Sequence, residues 1–118
     1  MAALFADCIE KRNNKYLTAA VDYIDKNYID CSLSLQTVSE NVGISSSYMS
    51  RLFSTAYGIG FNQYLNQLRC KAAKKLLKNE SMTIQEIGEA VGFLSTQNFI
   101  RVFKKQTGYT PGSYRQII

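Results

Sequence analysis

Histidine does not occur anywhere in these 118 residues. Its absence removes the commonest general base, the serine-type triad and most catalytic zinc sites, so no enzymatic role is expected. Proline occurs once, as Pro111. A β-rich fold needs Gly, Pro or Asn punctuation roughly every ten residues, and the long stretches here without turn clusters point instead to an all-α chain. Cysteine is scarce: Cys8, Cys31 and Cys70 are far apart, odd in number and without a close-spaced pair. Neither a disulfide framework nor a metal site fits that spacing, no cofactor or small-molecule site is expected, and a reducing cytoplasm is the simplest setting. Long apolar runs are missing too. Met1–Ile9 is apolar, but it is short, broken by Asp7 and without a basic leader, so neither a membrane span nor a targeting segment is expected.

Acidic side chains become rare along the chain. Residues 1–40 hold four basic against six acidic side chains, a net of −2. Residues 41–118 hold ten basic ones against Glu80, Glu86 and Glu89, a net of +7, which makes +5 in all. A surplus of that kind concentrates polyanions, nucleic acid first among them, although a merely solvated basic face gives the same count. The hydrophobic content of 46% is that of a soluble globular protein, and the length allows one compact domain or two small subdomains sharing a helix.

What the sequence does contain is a repeat. A shift of 49 pairs Gln36 with Gln85, Glu40 with Glu89, Val42 with Val91 and Gly43 with Gly92. Beyond the glycine the shift becomes 50, pairing Ser45 with Ser95, Arg51 with Arg101, Phe53 with Phe103, Gly58 with Gly108 and Tyr64 with Tyr114. These nine identities in register mark two copies of one supersecondary unit, with one residue added in the second turn.

Each copy reads as a short helix, a glycine turn and a second helix. Leu35, Val38 and Val42, and likewise Ile84, Ile87 and Val91, recur at i, i+3 and i+7, so both first helices are expected to end at Gly43 and Gly92. Thr83 and Glu86 form a capping-box pattern. The second helix of copy one opens at Ser45 and is expected to bury Met49, Leu52, Phe53 and Ala56; that of copy two buries Phe99, Val102 and Phe103. Outward faces then carry Ser47, Ser50, Arg51 and Ser54 in one copy and Thr96, Gln97, Ile100, Arg101 and Lys104 in the other. This is the layout of the DNA-binding helix-turn-helix, which other helical hairpins share.

Between the copies, Phe61–Asn79 has neither Gly nor Pro and spaces Phe61, Tyr64, Leu65, Leu68, Ala72 and Leu76 helically. One helix over that span is about 28 Å long, close to the ~34 Å between successive major grooves on one face of DNA. A further helix is expected from Lys15 to Ile29, and Thr110-Pro111 caps a last short one reaching Arg115. Seven helices result. The expected organisation is a lead or linker over residues 1–14, an N-terminal helix-turn-helix subdomain over 15–60, a linking helix over 61–79 and a C-terminal subdomain over 80–118. The lead resembles a domain-joining segment, which favours a piece of a longer regulator.

These residues resemble the DNA-binding domain of the AraC/XylS family of transcription regulators. The second copy carries most of the signature, in Ile84-Gln-Glu-Ile-Gly-Glu-Ala-Val-Gly-Phe93, Asn98-Phe-Ile-Arg-Val-Phe-Lys-Lys105, Gly108-Tyr-Thr-Pro111 and Tyr114-Arg115. The first adds Tyr48-Met-Ser-Arg-Leu-Phe53, Gly58, and Arg69, Ala72, Leu76 and Leu77 within Tyr64–Leu77. The match runs from about Tyr16 to Arg115. It implies a bipartite module with two recognition helices and a long linking helix, acting on promoter DNA with RNA polymerase as partner, and monomeric when isolated. The family's base contacts fall here on Ser47, Ser50, Arg51, Thr96, Gln97, Ile100 and Arg101. Two departures stand out: Gly88 replaces a usual alanine, a cost of up to about 1 kcal/mol to that helix, and Ile100 replaces a small hydroxylated residue.

Arg51 and Arg101 suit guanine O6 and N7, or else phosphate or a surface ion pair; Gln97 suits adenine or simple exposure. Ile100 suits a thymine methyl or partial burial against a neighbouring helix. Ser47 and Ser50 are short, so copy one reads fewer bases and leans on DNA shape and water. Lys104, Lys105 and the helix starts at Ser45 and Ser95 are expected at phosphates. Lys71, Lys74, Lys75 and Lys78 belong to a solvated face, Arg69 to a structural contact, and the tyrosines to core or rim. A helical module whose basic face binds an acidic protein is the alternative function.

Overall fold

The computed structural model describes residues 2–118, with side chains from Lys15 onward, so the side chains of the lead segment, Cys8 among them, lie outside the described set. Seven helices occur in the described chain: α1 (Ala2–Asn27), α2 (Leu35–Val42), α3 (Ser46–Tyr57), α4 (Phe61–Leu76), α5 (Ile84–Ala90), α6 (Thr96–Thr107) and α7 (Pro111–Ile117). No strand occurs among the described residues, and no helix there is long and apolar enough to cross a membrane. The described chain forms two compact units, one of residues 2–27 and 33–62, the other of residues 28–32 and 63–118.

In the first unit Ala20 and Ile24 of α1 are buried with Leu33, Val38, Met49, Leu52, Phe53 and Phe61. The Phe53 and Phe61 rings meet edge-on at 5.9 Å, the geometry that the ring quadrupole favours. Ala56 departs from expectation. It lies on the apolar side of α3 by helical spacing but is exposed, lining with Leu17, Val21, Asp22, Asp25 and Tyr57 a groove of about 600 Å³.

In the second unit Cys70, Ala73, Leu77, Ile87, Val91, Phe93, Phe99, Val102 and Phe103 form one cluster. Phe99 sits at its centre, its ring 5.1 Å from Phe93 and 5.7 Å from Phe103. The buried stripe of α4 is rotated from the one expected. Phe61, Leu65, Arg69, Ala73 and Leu77 are buried at strict i+4 spacing, whereas Leu68, Ala72 and Leu76 are half-buried. A charged residue thus occupies a core position of the ladder. Burial pushes the Cys70 thiol up to about 11, so it stays protonated at neutral pH, the opposite of a nucleophile.

Arg69 is accommodated because its donors find carbonyls. Its Nε donates to the Tyr28 carbonyl at 2.8 Å and its Nη2 to that of Asp30 at 2.9 Å, with the Phe93 ring 5.9 Å beneath it. Desolvation lowers its pKa from the ordinary value, yet the paired carbonyls offset the cost of burial. This is the structural partner expected for Arg69, and α1 stops at Asn27 rather than at the expected Ile29. At its other end α1 begins at Ala2, upstream of the expected Lys15.

The same device recurs after α4. Arg115 Nε donates to the Leu77 carbonyl at 3.1 Å and Nη2 to that of Asn79 at 3.2 Å. In both places a side-chain turn follows: Asp30 Oδ1 accepts from the Ser32 N–H and hydroxyl, and Asn79 Oδ1 from those of Ser81. The Ser32 hydrogen bonds hold the Asp30 carboxyl below its usual range. These turns end α4 at Leu76, short of the expected Asn79, because the Asn79 side chain offers the backbone an alternative to another helical turn. Tyr28, Asp30, Ser32 and Ser34 are related to Leu77, Asn79, Ser81 and Thr83 by the shift of 49. The repeat therefore begins upstream of α2 and α5.

Candidate nucleic-acid interface

Each helix-turn-helix is held by local capping. Ser34 accepts from Thr37 N–H to open α2, and Gly43, at φ 89°, closes it by donating to Ser39 O. Ser45 then accepts from Tyr48 N–H at 3.1 Å to start α3. In the second copy the expected capping box is present, with Thr83 Oγ1 accepting from Glu86 N–H at 3.1 Å and Glu86 Oε1 from Thr83 N–H at 3.4 Å. Ser95 accepts from Asn98 N–H at 3.0 Å to start α6. Each such cap contributes about 1 kcal/mol.

The two repeat glycines differ. Gly43 has only its left-handed backbone to justify it, since a Cβ there would meet nothing. The second first helix ends at Ala90, one residue before the pattern predicts, and Gly92 follows its cap at φ 102°. A Cβ on Gly92 would collide with the Tyr28 carbonyl oxygen and lie 2.9 Å from Arg69 Nε. Gly92 is thus the surface on which the buried arginine and the loop after α1 close. Gly88 has a packing reason as well: a Cβ there would lie 2.8 Å from Phe99 Cδ2. The glycine that costs α5 helix propensity lets α5 approach α6 closely.

On α3, Met49, Leu52 and Phe53 are buried, Ser47 and Arg51 are exposed and Ser50 is half-buried. On α6, Phe99, Val102 and Phe103 are buried; Gln97, Arg101, Lys104 and Lys105 are exposed; Thr96 and Ile100 are half-buried. Each helix thus gathers its expected residues on one outward face. Ser45 and Ser95 are exposed at the helix starts, where unpaired backbone N–H groups point outward and favour an anion.

Two residues not counted among the candidates shape these faces. Asn98 Oδ1 accepts from Arg101 Nη2 at 2.8 Å. Arg51 lies 5.8 Å above the Tyr48 ring, which meets Tyr16 edge-on at 6.0 Å. The added residue of the second turn, Leu94, is 78% exposed immediately before Ser95. A signal for Asn98 and Tyr48 was available: both lie one helical turn before the paired arginines, within reach on the helix surface.

A family model described as "Helix-turn-helix domain" matches residues 38–117. The chain is 38% identical over 105 residues to the uncharacterized HTH-type transcriptional regulator YijO of Escherichia coli (strain K12), a match covering 89% of the chain and 37% of that protein. It is similar in structure to the C-terminal domain of AraT, a response regulator from Geobacillus stearothermophilus, with a TM-score of 0.84, 33% identity and coverage of 87% and 85% of the two chains. It is also similar to a transcriptional regulator of the AraC-type DNA-binding domain-containing proteins from Chromobacterium violaceum, with a TM-score of 0.75, 31% identity and coverage of 86% and 89%. The chain spans between 13% and 49% of the length of four curated relatives it matches. With two capped helix-turn-helix units in one repeat and these likenesses, the chain belongs to the AraC-type helix-turn-helix family and is a DNA-binding module of a transcription regulator.

Proposed function

We propose that this module reads double-stranded promoter DNA by placing α3 and α6 in successive major grooves, with α4 as the spacer of a bipartite domain. In this reading Ser47, Ser50 and Arg51 meet bases from α3, and Thr96, Gln97, Ile100 and Arg101 from α6. Ser45, Ser95, Lys104 and Lys105 hold phosphates. The observation that carries it is the outward face of α6, where Gln97, Arg101, Lys104 and Lys105 are all exposed and no acidic residue intervenes in Thr96–Thr107. Arg and Gln supply bidentate donors and acceptors for guanine and adenine edges, and lysines supply the salt-dependent backbone attraction. In this reading the regulator acts in the cytoplasm in contact with RNA polymerase, and the isolated module is a monomer.

Fluorescence anisotropy with a labelled duplex at rising salt tests the phosphate assignment. The logarithm of affinity is expected to fall linearly with the logarithm of salt, and Lys104→Gln or Lys105→Gln each to lower the slope by about one. Unchanged slopes in both variants would remove these lysines from the interface. A second reading, an acidic protein partner, has a surface of its own: exposed Lys71 and Lys75 flank a groove of about 330 Å³ lined by Leu68, Ala72, Leu76 and Val91. Absence of duplex binding at low salt, with binding of an acidic partner lost in Lys71→Glu/Lys75→Glu, would select that reading.

A further inference from the structure

Arg51 and Arg101 are equivalent in the repeat, and the residues three before them, Tyr48 and Asn98, are equivalent by the same shift of 50. The chemistry beneath the two arginines nevertheless differs. An aromatic ring 5.8 Å from the Arg51 guanidinium carbon attracts the charge without selecting a direction for its N–H donors, because a π-face has no preferred in-plane direction. A hydrogen bond from Arg101 Nη2 to Asn98 Oδ1 at 2.8 Å does select one. Asn98 is half-buried in the first turn of α6, where its backbone N–H donates to Ser95 Oγ at 3.0 Å.

A guanidinium carries five N–H donors in a rigid fork. One of them serves Asn98, and the rest are enough for a bidentate contact to one base. An arginine that is already oriented loses less freedom on binding, and the saving is realised only where the fork and the base edge match.

The geometry points to Asn98 as a specificity-determining positioning residue: by orienting Arg101 it makes α6 the discriminating helix, while Tyr48 leaves Arg51 to anchor α3. This inference rests on the assignment of α6 as a DNA-reading helix.

Selection of bound duplexes from a random library, with wild type, Asn98→Ala, Arg101→Ala and the double variant, tests it. Arg101→Ala is expected to flatten preference at one base pair. Asn98→Ala is expected to weaken preference at that same base pair by about fivefold, with non-specific affinity and melting temperature unchanged. The double variant then behaves as Arg101→Ala alone. Asn98→Asp keeps the acceptor and so keeps the preference, while its added charge lowers affinity for every duplex.

Preference retained in Asn98→Ala but lost in Arg101→Ala overturns the positioning role and leaves the DNA reading intact. Effects at different base pairs that add in the double variant mean that Asn98 contacts a base itself, which also overturns it. If Arg101→Ala flattens nothing, the assignment of α6 falls and this inference with it.

Discussion

Gly92→Ala is expected to destabilise the second unit by about 3–5 kcal/mol, the sum of backbone strain and overpacking. A non-glycine residue at φ 102° is strained before any contact is considered. The added methyl would also displace the Tyr28 carbonyl or Arg69 Nε. Those two groups are hydrogen-bonded to each other, so moving either strands a buried guanidinium or a carbonyl without its partner. Gly43→Ala, at the matching repeat position, meets no atom within 4 Å and should cost only the left-handed backbone penalty, about 1–2 kcal/mol. Urea unfolding of the two variants side by side measures the difference, and equal losses would refute the role given to Gly92. Because a small domain has only about 5–15 kcal/mol in hand, the Gly92 variant is expected to be poorly folded at 37 °C.

The second large effect is at Phe99. Phe99→Ala removes a fully buried ring from the centre of the cluster that also holds Phe93 and Phe103, a loss of about 3–5 kcal/mol. Gly88 gives the sharper check. On propensity alone Gly88→Ala should stabilise α5 by up to about 1 kcal/mol. With a Cβ 2.8 Å from Phe99 Cδ2 and 3.2 Å from Phe99 Cβ, it should instead destabilise by about 1–2 kcal/mol, because the ring is wedged on both sides and overpacking outweighs propensity. In the Phe99→Ala background the same substitution is expected to become neutral or stabilising, since the ring edge is gone and the methyl fills part of the cavity. Thermal melts of the two single variants and the double variant give the coupling. Additive effects would show that the Gly88–Phe99 contact does not limit packing.

Which of these features could be read from the chain follows from how local their physics is. Caps were legible because a serine or threonine hydroxyl reaches an N–H only three residues on: Ser45, Thr83, Ser95 and Thr110 each open the helix that the pattern assigns to them. The faces of α3 and α6 were legible from 3.6-residue periodicity, with Ala56 the exception, since periodicity says which side faces inward and not whether anything covers it. The carbonyl partners of Arg69 and Arg115 were not legible, because they lie 41 and 38 residues away. The i+4 ladder Phe61, Leu65, Arg69, Ala73, Leu77 did hold the clue that Arg69 faces inward. Gly88 was legible only as a propensity cost, because propensity says nothing of what sits across the helix. The upstream start of the repeat was hidden behind Asp30 against Asn79, a pair alike in their side-chain turns but not identical.

The site shows the same division. Outward placement of Arg51 and Arg101 follows from sequence, but what orients them does not: one rests on a ring and the other on an amide. The repeat therefore places two outward arginines at equivalent positions with different neighbours, the difference on which the proposed division of labour rests.

The central claim, a bipartite DNA reader whose second helix chooses the sequence, is tested most directly by selecting duplexes from a random library with the wild-type module and comparing Arg51→Ala with Arg101→Ala. The account predicts two recognised blocks with centres about 10 base pairs apart. Arg101→Ala should erase the more specific block, and Arg51→Ala should weaken binding with less change in sequence preference. A selection that enriches no sequence, or one whose preferences survive Arg101→Ala and vanish in Arg51→Ala, would contradict it.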